Sequence, residues 1–165
     1  MILIEPSIRA QFSRSVFTRR GLEEFLADAV AAAKLKGSVT VLLTGDAEIR
    51  RLNREFRRKD KATDVLSFPA GESIGRARAA GDLAISVETA AREADRRGHS
   101  LDLELRVLLL HGLLHLAGFD HETDSGEMER KESQLRKKLG LEKLGLSQGL
   151  IARASADPTK PGRKP

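Results

Sequence analysis

The chain has 165 residues, a length that suits one folded domain with its own hydrophobic core. It contains no cysteine, which excludes disulfides and thiolate metal ligands and leaves His, Asp and Glu as candidate metal ligands. Lysine and arginine together number 29 against 24 aspartates and glutamates, and the formal net charge of +5 favours a polyanionic partner such as nucleic acid.

The apolar segments of the sequence are short. The run Ile2–Ile4 near the start is too short for a signal peptide, and the most apolar stretch, Val107–Leu116, is too short to span a membrane. We therefore expect a protein without membrane contact, and the lack of cysteine is compatible with a cytoplasmic location.

Hydrophobic spacing and turn residues predict the elements of the first half of the chain. A β-branched run is typical of a buried strand, and apolar residues three and four apart are typical of a helix that packs on one face. The predicted elements are, in order, a strand at Ile2–Ile4 ended by Pro6, an irregular basic segment at 9–20, a helix at 19–36 capped by Thr18, a strand at Ser38–Thr44 and a helix that begins at the cap Asp46 and runs to Arg57.

The same criteria divide the second half into alternating strands and helices, with a polar tail at the end. The predicted elements are a basic loop after Arg57, a strand at Val65–Phe68, a hairpin loop at 72–80, a strand at Gly81–Val87, a helix at Glu88–Arg97, a helix capped by Ser100 that carries two histidines, a helix from Asp124 or Ser125 to Leu139, and a disordered basic tail at 147–165. This makes four strands and about five helices in one domain, residues 1–146, with the nearly all-apolar histidine helix at its centre.

Three of the four histidines lie within eleven residues of one another. His111 and His115 are four apart, so both project from one face of the predicted helix. Gly118 can end that helix in the left-handed conformation and allow the chain to bring His121 back to the first two. Three imidazoles without a fourth protein ligand are typical of a catalytic zinc site with an open position, one ion per chain. Such a site also accepts nickel, copper or cobalt, and the alternative is three histidines placed by chance.

The residue after the first histidine separates this pattern from that of the zinc peptidases. Their H-E-x-x-H helix has its general base at this position, whereas this chain has Gly112, which cannot act as a base. Peptide hydrolysis would require Asp120 or Glu122 as a substitute.

A basic loop, residues 57–61, follows the predicted helix that ends at Arg57. If the substrate is a phosphodiester, Arg57 is the best candidate to neutralise the developing charge through bidentate contact with phosphate oxygens. Arg58, Lys59 and Lys61 are candidates for contacts with neighbouring phosphates of an RNA strand. The alternative is a solvated charge run at the end of a helix.

Three aspartates are candidates for a supporting role. Asp64 and Asp82 each begin a predicted strand, where an aspartate usually caps a turn, but either can accept a ligand histidine's N–H or act as a general base. Asp120 precedes His121 and is a further candidate for a bond to a ligand. His99, in the loop before the histidine helix, is interpreted as a surface residue.

The segment 111–121, HGLLHLAGFDH, resembles the signature of the YbeY family of bacterial rRNA maturation factors, which are single-strand-specific metallo-endoribonucleases. Residues 52–69, LNREFRRKDKATDVLSFP, are similar to the second block of that family, and residues 81–86, GDLAIS, to its third block, in the same order. The sequence departs from the family pattern at Ala62, where proline is common, and at Phe56 and Phe119, where tyrosine is common.

The resemblance implies an α+β fold with a small mixed sheet and a metal in a cleft beside it. It also implies that His111, His115 and His121 bind zinc and that Arg57 is the functionally important arginine. The implied substrate is single-stranded RNA, with processing of the small-subunit rRNA 3′ end and ribosome quality control in the cytoplasm. The ribosome or its assembly proteins are the implied partners.

The leading hypothesis is a zinc-dependent endoribonuclease in which Arg57 stabilises the transition-state charge. A second hypothesis is a non-catalytic ribosome-assembly or RNA-binding factor whose zinc is structural. A third is a metallopeptidase, which Gly112 disfavours. Whether water or the RNA 2′-hydroxyl attacks, and which residue is the general base, stay open at this point.

Overall fold

The computed structural model describes residues 1–12, 16–71, 79–120 and 124–142. These residues contain four strands and six helices. In chain order they are β1 (Ile2–Ile4), α1 (Pro6–Gln11), α2 (Arg19–Ala32), β2 (Ser38–Thr44), α3 (Asp46–Arg57), β3 (Val65–Pro69), β4 (Ala79–Ser86), α4 (Val87–Arg97), α5 (Leu101–Leu116) and α6 (Glu127–Lys138).

The strands form one mixed sheet in the order β1-β2-β4-β3. β1 and β4 lie parallel to β2 on either side of it, and β3 pairs antiparallel with β4 at the edge. This is a single small α+β domain with a four-stranded mixed sheet, and it confirms the predicted fold class. Among the described residues, no helix is both long enough and apolar enough to cross a bilayer.

The two faces of the sheet are covered by different helices. Alternate residues such as Leu43, Leu83 and Ile85 belong to the main core, which also contains the apolar residues of α2 and α5. Residues that point to the other face, such as Ala84 of β4 and its partner Leu66 of β3, pack in a smaller cluster with Ile49 of α3. This alternation follows from the pleat, because successive side chains of a strand point to opposite faces.

Helix α5 is at the centre of the domain, as its composition predicted. The Ser100 hydroxyl caps it by accepting a hydrogen bond from the Leu103 N–H at 3.2 Å. Most of its residues are buried on every side. Gly112 allows the helix to approach the sheet closely, because a Cβ at this position would lie 2.9 Å from a methyl carbon of Leu83. The histidine helix is therefore held rigidly against β3 and β4.

The sequence-based assignment missed helix α1, and the expectation of irregular structure from residue 9 onward was wrong for 9–11. Pro6 ends the strand and also begins this helix, since proline lacks an N–H and its φ suits the first helical turn. Only Ile8 of the helix is buried, so the sequence shows no apolar periodicity there. Helix α2 ends at Ala32 rather than at 36, close to the left-handed Lys34.

Two further differences concern β4 and the C-terminal residues. Strand β4 begins at Ala79, so the last two residues of the predicted hairpin loop are in the sheet. The remainder of that loop, 72–78, and the predicted tail, 147–165, lie outside the described residues. The domain boundary at 146 stays a prediction.

Asp46 joins the starts of α3 and α4. The prediction that Asp46 caps α3 was wrong, because the cap is Gly45 and Asp46 is the first helical residue. Its carboxylate accepts hydrogen bonds from the Ser86 hydroxyl at 2.5 Å and the Thr89 hydroxyl at 2.6 Å, and it pairs with Arg92 at 2.7 Å. Burial raises the pKa of Asp46, but these three partners together hold it below its ordinary value.

Candidate metal centre and basic edge

His111 and His115 converge at the C-terminal half of α5. Their Nε2 atoms are 3.1 Å apart, and the rings meet edge to face with centroids 4.7 Å apart. Two nitrogens bound to one tetrahedral zinc at about 2.0–2.1 Å would be separated by roughly 3.3 Å. The imidazole pair therefore has the spacing that a shared metal ion requires.

His121, the expected third ligand, lies outside the described residues. Within the described part of the chain, no group of three His, Cys, Asp or Glu side chains is placed to hold a metal ion. The geometry thus brings two of the three predicted ligands together, and the ligand role of all three stays a prediction.

Glu132 of α6 forms a hydrogen bond with His111 that the sequence analysis missed. Its Oε2 lies 3.0 Å from His111 Nδ1, and its other oxygen pairs with Arg136. The residue is only 8% exposed. A carboxylate that accepts the Nδ1–H keeps the Nε2 lone pair available on the side that faces His115.

The charge state of Glu132 suits this role. Burial raises the pKa of its carboxyl, but the hydrogen bond with His111 and the Arg136 guanidinium more than offset that effect. The pKa therefore lies below the ordinary value for glutamate, and the side chain is ionised at neutral pH. An anionic acceptor makes the bound imidazole a stronger electron donor to a metal.

The contact between α6 and α5 explains how Glu132 reaches His111. The Asp124 carboxylate caps the start of α6 by accepting the Gly126 and Met128 N–H groups at 2.7 and 2.8 Å. Met128 and Leu135 are buried at helical spacing around Glu132. The signal in the sequence was an acidic residue on the buried face of a helix, which rarely occurs without a partner.

Arg57, the last residue of α3, bonds to the edge strand β3. Its Nη2 donates to the Ser67 carbonyl at 2.9 Å. Ser86 N–H donates to the Asp64 carbonyl, so residues 64, 66 and 68 form the bonds to β4 and the carbonyl of 67 points outward from the sheet. Arg57 therefore bonds to a carbonyl that the sheet leaves unpaired at its edge, which otherwise is available for unwanted strand pairing.

A further contact extends from Ser67 to the histidine helix. The Ser67 hydroxyl lies 3.4 Å from the carbonyl of Gly112, the residue after His111. Ser67 of β3 thus bonds to Arg57 through its carbonyl and to helix α5 through its hydroxyl. Ser67 is therefore the residue that connects the predicted arginine with the helix that carries the predicted ligands.

Arg57 differs from the other arginines of α3 because it has no acidic partner among the described residues. Arg50 and Arg54 pair with Asp60, and Arg51 pairs with two glutamates of its own helix. Within the ranges that the structure describes, Arg57 forms no ion pair, and its one hydrogen bond goes to a neutral carbonyl. Its positive charge is therefore not neutralised by a carboxylate there.

The basic loop after Arg57 is exposed but anchored. Arg58 ends α3 in the left-handed conformation at φ 56°. The buried Asn53 side chain then holds the loop by donating to the Lys61 carbonyl at 2.8 Å. Arg58, Lys59 and Lys61 all point into solvent, and none of them forms an ion pair with any residue that the structure describes. Four cationic side chains, counting Arg57, are thus presented on a fixed backbone.

The three aspartates occupy different places. The Asp64 carboxylate accepts the Val65 N–H at 2.8 Å, which is the local turn bond usual for a strand-initial aspartate. Asp82 is exposed, and the pleat places it with Ala84 on the face covered by α3, opposite to α5. Asp120 lines a cleft of about 340 Å³ between α5 and α6, next in sequence to His121. Of the three, only Asp120 lies on the segment that follows the histidine helix.

The surroundings of Gly112 bear on the peptidase alternative. A Cβ built there would meet the Leu83 methyls and would lie 3.4 Å from Val65. The position after the first histidine therefore faces the sheet, whereas His111 faces α6. An acidic side chain at 112 would be buried in the core and could not serve as a base for the histidine pair.

The fold and this arrangement of residues define a class of protein, and comparison with known proteins identifies it. Residues 9–140 match the family described as Endoribonuclease YbeY. The chain belongs to that family, as the resemblance in its motifs indicated.

Three relatives show how far the similarity extends. The Endoribonuclease YbeY of Koribacter versatilis (strain Ellin345) is 53% identical over 150 residues, which cover 89% of this chain and 88% of that protein. The Endoribonuclease YbeY of Anaeromyxobacter sp. (strain Fw109-5) is 45% identical over 137 residues, 82% of this chain and 71% of that protein. The solution structure of TM1509 from Thermotoga maritima is 28% identical, with a TM-score of 0.51 over 98% of this chain and all of that one.

Proposed function

We propose that this protein is a metal-dependent endoribonuclease that cleaves single-stranded RNA at the His111–His115 site. The observation that carries the proposal is the pair of imidazole nitrogens 3.1 Å apart. Ser67 connects the helix that bears this pair to Arg57, which has no carboxylate partner among the described residues. The family's name supports RNA as the substrate. The resemblance supports the finer proposal, which is maturation of the small-subunit rRNA 3′ end and ribosome quality control in the cytoplasm, with ribosomal partners.

The donor set fits one zinc ion per chain. His111 and His115 would hold it, with His121 as the proposed third ligand, and other divalent transition metals would also suit imidazole donors. When bound, the ion supplies a Lewis acid that polarises a phosphoryl oxygen and lowers the pKa of a water molecule. The Glu132 carboxylate orients His111 and holds its proton at Nδ1.

Arg57 would neutralise the charge that develops on the phosphate. A guanidinium has five N–H donors, and the contact with Ser67 uses one of them. That contact fixes the side chain, while the remaining donors are available for bidentate contact with phosphate oxygens. Because the position is set before the substrate arrives, little reorganisation is needed when charge develops.

The basic loop would bind the phosphates that flank the cleaved bond. Its three exposed cations, Arg58, Lys59 and Lys61, follow Arg57 on a backbone anchored by Asn53. The logarithm of the binding constant falls as the logarithm of the salt concentration rises. Each phosphate contact makes that slope steeper by about 0.7 for single-stranded nucleic acid. Lys59→Ala should therefore flatten that slope by about this amount.

The experiment that tests the proposal combines metal analysis with a cleavage assay. Purified protein should contain about one equivalent of zinc and should cut a labelled RNA that carries the rRNA 3′ precursor. His115→Ala should lose both the metal and the cleavage. Unaltered zinc content in His115→Ala would overturn the metal site, and absence of cleavage in the metal-loaded wild type would overturn the nuclease function.

Arg57→Ala separates the nuclease from a non-catalytic RNA-binding factor. The nuclease proposal expects a folded variant that retains its metal and most RNA binding but loses cleavage by two or three orders of magnitude, the usual effect of removing a group that stabilises transition-state charge. The variant also loses the bond to Ser67, so its melting temperature is measured alongside. RNA binding that survives metal removal, with no cleavage under any condition, would instead support the binding factor.

A further inference from the structure

Phe56 is an exposed aromatic residue directly before Arg57. Large apolar side chains with substantial exposure in the described residues are Met1, Leu3, Val16 and Phe56, and Phe56 is 61% exposed. Burial of a phenylalanine ring stabilises a fold, so this exposed ring forgoes much of that stabilisation. It continues the apolar face of α3, which contacts the sheet through Ile49 and Leu52.

The ring is held in place although it is exposed. Phe68 of β3 packs against it edge to face, with centroids 5.3 Å apart and planes at 72°. Phe68 itself is half-buried against the small cluster beneath α3. Edge-to-face contacts of this kind stabilise an aromatic pair beyond the burial of its surface. The exposed ring is therefore supported from one side and open to solvent on another.

The aromatic pair lies beside the proposed phosphate contact. Phe56 touches Phe68, and the next residue of α3, Arg57, bonds to Ser67, the residue before Phe68. Two neighbouring contacts thus join the same helix and strand, one aromatic and one cationic. The basic loop follows immediately, and its cations Arg58, Lys59 and Lys61 form no ion pair with any described residue.

We propose that Phe56, supported by Phe68, is a stacking platform for one nucleobase of the RNA substrate, and that it contributes to the preference for single strands. The proposal rests on the proposed function. Proteins that bind single strands combine a positive track for phosphates with aromatic side chains on which bases stack. A base within a duplex already stacks on its neighbours and presents no open face, so only an unpaired base can use this ring.

Binding is the first measurement, because it does not depend on catalysis. The variants are made in the His115→Ala background, and the affinity for a labelled single-stranded RNA is measured. Phe56→Ala should weaken binding about 5- to 150-fold, the range for loss of one aromatic–base stack, whereas Phe56→Tyr should bind like the parent. Phe56→Leu keeps an apolar side chain without a π face and should weaken binding as Phe56→Ala does.

The matched control is Leu3→Ala, which truncates another exposed apolar residue, at the opposite edge strand β1. It should leave RNA affinity unchanged. In the Phe56 variants, affinity for an RNA duplex closed by a hairpin loop at both ends, which has no open terminal base pair, should change much less than affinity for the single strand. Binding by Phe56→Ala within twofold of the parent, or an equal loss in Leu3→Ala, would overturn the platform even where the wild type cleaves RNA.

A spectroscopic test addresses the stacking itself. The chain contains no Trp and no Tyr, so Phe56→Trp introduces the only indole in the protein. Single-stranded RNA should quench its fluorescence at saturation, and an RNA with an abasic nucleotide at the contact position should not. Unchanged fluorescence at saturating RNA contradicts the platform, whereas failure of the wild type to bind any RNA contradicts the proposed function instead.

Discussion

Glu132→Gln tests the role of α6 in the proposed metal site. The substitution keeps the size and shape of the side chain but removes its charge. At present one carboxylate oxygen faces His111 at 3.0 Å and the other faces Arg136. A glutamine amide offers one oxygen and one NH₂ group, so one of these two donors would face another donor. The variant cannot satisfy both His111 and Arg136.

The size of the effect follows from this loss. A hydrogen bond to a charged group contributes about 1.5–3 kcal/mol, and loss of a carboxylate that orients a ligand histidine lowers metal affinity about 10- to 100-fold. These two ranges agree, since 1.4 kcal/mol corresponds to about tenfold. We therefore expect Glu132→Gln to bind zinc 10- to 100-fold more weakly than the wild type.

The assay is competition for zinc against a chromophoric chelator, with RNA cleavage measured at saturating zinc. The matched control is Glu129→Gln, an exposed residue one turn earlier on the same helix with the same change of charge. It should retain zinc affinity within twofold. Wild-type affinity in Glu132→Gln, or the same loss in Glu129→Gln, would refute the idea that Glu132 acts through His111.

Two further predictions concern the framework around the site. Asp46→Asn should lower the free energy of unfolding at pH 7, and because the folded-state pKa of Asp46 is lowered, the difference from the wild type should shrink as the pH falls below the ordinary value of about 3.9. Urea denaturation between pH 3 and 7 measures it, and a difference that stays constant with pH would count against the network. Gly81→Ala should destabilise the fold by more than about 3 kcal/mol, since its Cβ would lie 2.4 Å from the Phe68 carbonyl at a φ of 147°. Gly98→Ala is the control, because that helix-terminal glycine has open space around it. This substitution should cost only about 1 kcal/mol. Equal losses of stability for the two variants in thermal melts would contradict the clash at Gly81.

Much of this protein could be predicted from local patterns. Strands β1 and β2 have the bounds that their β-branched and apolar runs predict, and Ser100 caps the histidine helix as expected. The four-residue spacing of His111 and His115 sufficed to place both imidazoles together, because the helix repeat sets which side chains share a face. The motif blocks likewise identified the family that the comparisons confirm.

Contacts between elements could not be predicted in the same way. Glu132 lies 21 residues from His111, Arg57 lies 10 residues from Ser67, and Phe56 meets Phe68 across a loop. Helix periodicity shows that Glu132 is on a buried face but not which residue it meets. That depends on how α6 docks on α5, through Met128 and Leu135.

The sequence by itself therefore determined most of the elements, the spacing of the histidine pair and the basic loop, since each depends on residues within one or two helical turns. Only the tertiary structure decided which carboxylate bonds to His111, which carbonyl holds Arg57 and which ring supports Phe56. Such pairings depend on the packing of distant segments, and a single sequence carries the chemistry of each partner without the distance between them.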